Sequence, residues 1–188
     1  MRIKYLIAAL LIFFVCSGFM FIGGRPPSGG GGLPSGTYIL GSDTTYSSST
    51  QWVNGDVAYS RRDGLSASND VDSGSELVCG IDTSSTAPSN MKIWIADSSG
   101  NAISDMVAIS PSGDQFNEAT VTLSSAITES SIYYVVAIGD GSWQIDHDGS
   151  SGFKIINDDT GNYTSPPDPM STTESLGYGL WGVYAKIP

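Results

Sequence analysis

The sequence is poor in cysteine, with two in 188 residues. Cys16 lies in an apolar N-terminal run, and Cys79 lies in a short apolar stretch that predicts a strand. A domain that begins after the N-terminal run therefore contains one cysteine, which excludes an internal disulfide. No cysteines and histidines have the spacing of a zinc site. A lone cysteine in a strand is typical of a small buried side chain, so we expect Cys79 to lie in the core.

Basic side chains are also scarce, since eight Lys and Arg accompany nineteen Asp and Glu and leave a formal net charge of −11. The charges are unevenly distributed along the chain. Arg2, Lys4 and Arg25 precede the first acidic residue, Asp43, and the chain from residue 33 onwards has a net charge of −14. A surface of this sign repels the phosphate backbone, so the composition argues against nucleic-acid binding.

The sequence contains a single histidine, His147, in the segment Asp146-His147-Asp148-Gly149. This composition predicts a loop between two short strands. A Ser-His-Asp triad would also need an activated serine, and the chain has no Gly-x-Ser-x-Gly motif. The acidic residues are numerous and mostly fall in predicted turns, so they do not single out a carboxylate pair for glycoside hydrolysis. The sequence therefore predicts a protein without catalytic activity.

Helical periodicity is missing beyond the N-terminal run. Apolar and polar residues instead alternate at period two in short segments between turn-forming clusters, as in Ala119-Thr120-Val121-Thr122-Leu123. Residues 132–138 are apolar on both faces, which is typical of a central strand. About eight to ten such segments predict an all-β fold, a two-sheet antiparallel β-sandwich.

The N-terminal run, residues 5–22, contains eighteen residues without a charge and follows Arg2 and Lys4. It predicts a hydrophobic helix that is either an uncleaved transmembrane anchor or a cleaved signal peptide, and lipidation at Cys16 is a third alternative. Each alternative places the rest of the chain outside the cytoplasm. We expect residues 1–23 to be this segment, 24–34 to be a flexible Gly/Pro-rich linker, and 35–188 to be the folded domain.

Part of the domain resembles a known class of module. The segments NMKIWIADSSGNAI, EATVTLSSAITESSIYYVVAIGDG and GYGLWGVYAKIP, with a Pro-Asp-Pro loop before the last, are similar to jelly-roll β-sandwich modules of exported bacterial and phage surface proteins. The resemblance covers about residues 76–188. Many of these modules resemble carbohydrate-binding modules, and others are adhesion or structural units. The resemblance implies a jelly-roll fold and leaves the function open.

The aromatic residues suggest where a sugar could bind. Sugar-binding sites stack an exposed aromatic ring on a pyranose face and use polar side chains to fix the hydroxyl groups. Trp143 has such polar neighbours in Asp140 and Gln144, and Tyr163 lies in the proline-rich loop, so we expect these residues to bind the ligand. Trp94 and Trp181 are expected in the core or on a sheet face. The position of Trp52, beside a turn, is left open.

Two acidic segments suggest a structural calcium ion, because calcium prefers six to eight oxygen ligands. The first segment contains Asp70, Asp72 and Glu76 around a glycine turn, and the second contains Asp146 and Asp148. The match to a calcium-binding loop is partial, so the alternative is a pair of polar loops. No other cofactor is expected.

These observations together predict a non-catalytic recognition module outside the cytoplasm, bound to the membrane or secreted. Its expected partner is a glycan or another component of a cell surface. The alternative is a structural or assembly protein of a cell envelope or virion, which would make its contacts through exposed edge strands.

Overall fold

The computed structural model describes residues 33–47, 49–149, 155–173 and 179–188. These residues form β-strands and no helix, and every strand pairing among them is antiparallel. The predicted all-β class is therefore confirmed. The strands are β1 (Tyr38–Gly41), β2 (Ser49–Val53), β3 (Ala58–Arg61), β4 (Leu65–Ser66), β5 (Glu76–Thr83), β6 (Met91–Asp97), β7 (Val107–Ile109), β8 (Gln115–Thr122), β9 (Ile132–Gly139), β10 (Trp143–His147), β11 (Ile155–Asp158) and β12 (Val183–Lys186).

The strands belong to three sheets with a sandwich-like arrangement. A four-stranded sheet has the order β1-β12-β5-β8, so the last strand of the chain pairs with the first. A six-stranded sheet has the order β11-β3-β9-β6-β7, and β4 pairs with the end of β9. The third sheet is the pair β10-β2. Most neighbours in these sheets are distant in the sequence, which makes the fold depend on long-range contacts.

The predicted central strand is confirmed in β9. It pairs with β6 on one side and with β3 on the other. Residues Tyr133 to Gly139 are all buried, including alternate side chains on both faces. One face of β9 contributes Tyr134, Val136 and Ile138 to a cluster that also contains Trp94. A strand that is apolar on both faces is stable only when other parts of the protein cover both faces. The face of β9 that belongs to the Trp94 cluster is covered by a loop and not by a second sheet.

The proline-rich loop after β11 provides that cover. Met170 is buried in the Trp94 cluster, and Tyr163 packs against its edge. Backbone hydrogen bonds fasten the loop, since the Met170 N–H donates to the carbonyl of Gly100 at 2.9 Å. The Ala102 N–H also donates to the Asp168 carboxylate at 2.9 Å. The loop therefore completes a second apolar layer on the six-stranded sheet.

Residues Pro34–Pro188 form one compact unit. The N-terminal segment and most of the linker predicted from the sequence lie outside the described residues, so those predictions stay as they were. Within the part of the chain that the structure describes, there is no helix of the length and apolarity that crossing a membrane requires.

Candidate functional site

Trp143 does not lie on the surface, so the sequence-based prediction of its exposure is wrong. Its side chain is fully buried in β10. The indole makes a tilted contact with Trp181, with 5.6 Å between ring centroids, and an edge contact with Tyr59 at 6.1 Å. The two strand tryptophans expected inside, Trp94 and Trp181, are indeed buried. A ring enclosed in this way cannot stack on a sugar, and Trp143 is a core residue.

The alternation of side chains along β10 explains why Trp143 is buried. Trp143 and Ile145 point into the core, whereas Gln144 and Asp146 between them are only partly buried. Successive side chains of a strand point to opposite faces of the sheet. The burial of Trp143 therefore places its neighbour Gln144 on the outer face of the β10-β2 pair.

Trp52 occupies that outer face. It lies directly opposite Gln144 in the β10-β2 register, and 55% of its surface is exposed. Residues directly opposite in an antiparallel pair have Cβ atoms about 4.5–5.5 Å apart and share a face. The structure thus pairs a predicted ligand-binding residue, Gln144, with the tryptophan whose position the sequence left open.

Polar side chains share the outer face of the β10-β2 pair with Trp52. The Ser85 hydroxyl donates to Gln144 Oε1 at 2.8 Å, and the Thr50 hydroxyl donates to Asp146 Oδ1 at 2.9 Å. We call this surface the Trp52 face, which consists of Thr50, Trp52, Ser85, Gln144 and Asp146. Within the described part of the chain, Gln144 Nε2 and Asp146 Oδ2 have no hydrogen-bond partner, so a donor and an acceptor are available to a ligand.

Backbone hydrogen bonds hold the Trp52 face in place. The Ser84 N–H donates to the Gln144 carbonyl, and the Gln144 N–H donates to the Thr86 carbonyl, both at 2.9 Å. Strand β10 is therefore bonded on both edges, to β2 and to residues 84–86. A face supported in this way is rigid before any ligand arrives, which lowers the entropic cost of binding.

The other two predicted ligand-binding residues have structural roles. Both Asp140 carboxylate oxygens accept hydrogen bonds from Asn90, at 3.0 Å from its backbone N–H and 2.7 Å from its side chain. These bonds lower the pKa of Asp140. The Tyr163 ring is partly buried against the Trp94 cluster and lies under the Lys92 ammonium, 4.9 Å from the ring centroid. Neither residue belongs to the Trp52 face.

The side chains of the two predicted calcium segments lie in separate surroundings in the described part of the chain, and calcium binding stays a prediction. Among the described residues, no three Asp, Glu, Cys or His side chains are grouped as metal ligands would be. In the first segment, Asp70 accepts a hydrogen bond from the Glu129 N–H at 2.7 Å. Asp72 lies in a turn, with its carbonyl accepting from the Ser75 N–H, and Glu76 is exposed at the start of β5.

The side chains of the second segment also point to different surroundings. Asp146 lies on the Trp52 face, whereas Asp148 accepts a hydrogen bond from the Leu180 N–H at 2.8 Å. His147 is not in a loop, because β10 continues through it and pairs it with Ser49. Its side chain is buried, and its Nδ1 accepts a hydrogen bond from the Gly149 N–H at 3.1 Å.

Local sequence patterns do not single out Asp82, whose carboxyl group has a raised pKa. Asp82 lies in β5 with 4% of its surface exposed, and its Oδ2 has no hydrogen-bond partner within the described residues. Burial raises the pKa of Asp82 to about 6, against a hydrogen bond from the Tyr46 backbone that lowers it, and the charge of Asp146 raises it further. Asp82 is therefore close enough to Asp146 for the two carboxylates to repel each other.

Comparison with protein families and curated proteins identifies no relative of this chain, so the Trp52 face is interpreted from its geometry. No protein-family model matches the chain, and no curated protein matches it either.

Proposed function

We propose that residues 35–188 are a non-catalytic recognition module that binds glycans through the Trp52 face, on a jelly-roll-like sandwich outside the cytoplasm. The observation that carries the proposal is the exposed indole of Trp52 among polar side chains with unused hydrogen-bonding atoms. An apolar ring with a few placed polar groups is the arrangement that suits a sugar, which has an apolar face and a rim of hydroxyl groups.

The energetics of the fold support this use of Trp52. Within the described residues, the exposed large hydrophobic side chains are Trp52 and Ile132. Three other tryptophans, Trp94, Trp143 and Trp181, are fully buried. The inner face of the β10-β2 pair buries Trp143, Ile145 and Val53, so the pair is held by this face and does not need Trp52 for stability.

The proposed location outside the cytoplasm is supported by the uncharged run at residues 5–22 and the preceding Arg2 and Lys4. The hydroxyl-rich and acidic domain suits an aqueous exterior. Attachment to the membrane and secretion both agree with this proposal.

The test is the replacement of Trp52 by alanine, followed by retention of the full chain on a panel of immobilised polysaccharides. We expect the wild type to be retained by at least one polysaccharide and Trp52→Ala to lose about thirtyfold or more in affinity, as for a binding hot spot. The melting temperature should stay close to that of the wild type, because exposed side chains usually change stability by no more than about 0.5 kcal/mol.

The matched control is Ile132→Ala, which removes the other exposed large hydrophobic side chain and should leave retention unchanged. Retention of Trp52→Ala at the wild-type level would contradict the proposal. Self-association of the wild type that Trp52→Ala abolishes, without retention on any polysaccharide, would instead favour the structural or assembly alternative.

A further inference from the structure

We propose that the Trp52 face selects glycans that carry protonated amino groups, such as oligomers of glucosamine, over neutral and acidic glycans. This inference rests on the proposed glycan-binding function and concerns the class of sugar. It follows from the charge on the face, where Asp146 is the charged residue among Thr50, Trp52, Ser85, Gln144 and Asp146.

Asp146 shares the outer face of the β10-β2 pair with Trp52. Asp146 lies opposite Thr50 in the register, two residues along from the rung that joins Trp52 and Gln144. A diagonal position of this kind lies about 7–8 Å away between backbones, within reach of a substituent on a sugar that is stacked on the ring. One carboxylate oxygen is held by Thr50, and the other is available to an ammonium group.

Within the described residues, no Lys or Arg belongs to the segments that form the Trp52 face. The described Lys and Arg side chains are Arg61, Arg62, Lys92 and Lys186, and none of them belongs to β2, to β10 or to residues 84–86. His147 ends β10, but its side chain is buried on the opposite face. Lys92 lies over the Tyr163 ring, and Lys186 is bonded to Glu118 at 2.8 Å. An acidic sugar would therefore bring its charge to Asp146 without a counter-charge from the face.

An indole ring and a carboxylate that lie on one face both attract an ammonium group. A cation near a tryptophan ring is attracted by the negative face of the ring, and tryptophan is the best side chain for this interaction. The buried carboxyl of Asp82 adds negative charge close to Asp146 when it is ionised. The net charge of −14 from residue 33 onwards draws cationic ligands to the domain as a whole.

The experiment compares three hexasaccharides with the same β-1,4-linked backbone, made of glucosamine, N-acetylglucosamine or glucose. Their binding to the full chain is measured by titration calorimetry in slightly acidic buffer, in an uncharged detergent that contains no sugar. We expect the glucosamine hexamer to bind at least tenfold more tightly than either of the others. Trp52→Ala should lose binding of every hexamer that the wild type binds.

The decisive variant is Asp146→Asn, which keeps an acceptor for the Thr50 hydroxyl and removes the charge. It should reduce the affinity for the glucosamine hexamer to that for the glucose hexamer. The control is Glu76→Gln, which removes one exposed acid from the opposite end of β5 from Asp82 and should keep the preference. A preference that Asp146→Asn retains would overturn the inference, because it would then arise from the overall charge of the domain.

The remaining outcomes separate the two proposals. Equal affinities for the three hexamers, all lost in Trp52→Ala, would overturn the preference for amino sugars and leave the glycan-binding function in place. Tighter binding of the glucose hexamer than of the glucosamine hexamer would likewise overturn the preference for amino sugars and leave the glycan-binding function in place. No binding of any hexamer, or of any polysaccharide on the panel, would overturn both proposals.

Discussion

Replacement of Trp143 by alanine is expected to destabilise the domain by about 3–5 kcal/mol, the usual cost of truncating a large buried aromatic side chain. The indole is fully buried between Tyr59 and Trp181, so its removal leaves a cavity that these rings cannot fill without moving. Thermal unfolding followed by circular dichroism measures the effect. Any loss of glycan binding in this variant should follow the loss of folded protein.

The control at the same position is Trp143→Phe. Phenylalanine keeps most of the aromatic packing and removes an indole N–H that is buried without a hydrogen-bond partner within the described residues. Because an unpaired buried donor is itself unfavourable, its removal offsets part of the lost volume. We expect Trp143→Phe to be much more stable than Trp143→Ala. A Trp143→Ala protein that melts like the wild type but loses binding would contradict the buried position of this residue.

The replacement Asp82→Asn is expected to stabilise the domain at neutral pH. Burial raises the pKa of Asp82 to about 6 in the folded protein, compared with its ordinary value of 3.8. The folded state therefore binds the proton more tightly than the unfolded state. The bound proton stabilises the folded state, and this stabilisation is fully present at pH values below 3.8. It is lost as the pH rises through about 6, and the total loss is about 2–3 kcal/mol.

Asparagine has no charge to bury, so the variant should escape this loss. We expect Asp82→Asn to be about 1–2 kcal/mol more stable than the wild type above pH 7, part of the gain being offset by the unpaired amide. The advantage should disappear near pH 4. Urea unfolding at several pH values measures the difference, and Glu76→Gln, an exposed control, should show little change at any pH.

A lower stability of Asp82→Asn at neutral pH would contradict this prediction. It would mean that Asp82 Oδ2 has a partner that favours the ionised form. Glycan binding at the Trp52 face should persist in this variant, because Asp82 belongs to β5 and is not part of that face. The preference for amino sugars should weaken at neutral pH, because one negative charge close to Asp146 is removed.

Local patterns in the sequence predicted much of the fold. The period-two alternation and the turn residues predicted an all-β antiparallel domain, and residues 132–138 were recognised as a central strand because both faces are apolar. The alternation of Trp143 and Ile145 with Gln144 and Asp146 also contains the signal that Trp143 is buried. The polar sequence around Trp143 obscured that signal and led to the wrong expectation for its exposure.

The site itself was only partly predictable. The sequence predicts Gln144 as a ligand-binding residue and Asp146 as a calcium ligand, and it does not predict that the two share a face. Trp52 follows Gln51 and precedes Val53, and this short segment does not indicate which of its two faces is covered. The partners across the face are far apart in the chain, since Thr50 and Asp146 are separated by 96 positions. No local pattern contains that pairing.

The amino-acid sequence by itself determined the strand content, the acidic charge and the alternation that gives each strand two different faces. These properties depend on side-chain chemistry and on the geometry of an extended chain, and both are local. The tertiary structure decided which face of each strand is buried, because burial depends on the element that packs against it. Trp143 is therefore enclosed while Trp52 is exposed, and Asp82 is buried without a partner for one of its carboxylate oxygens.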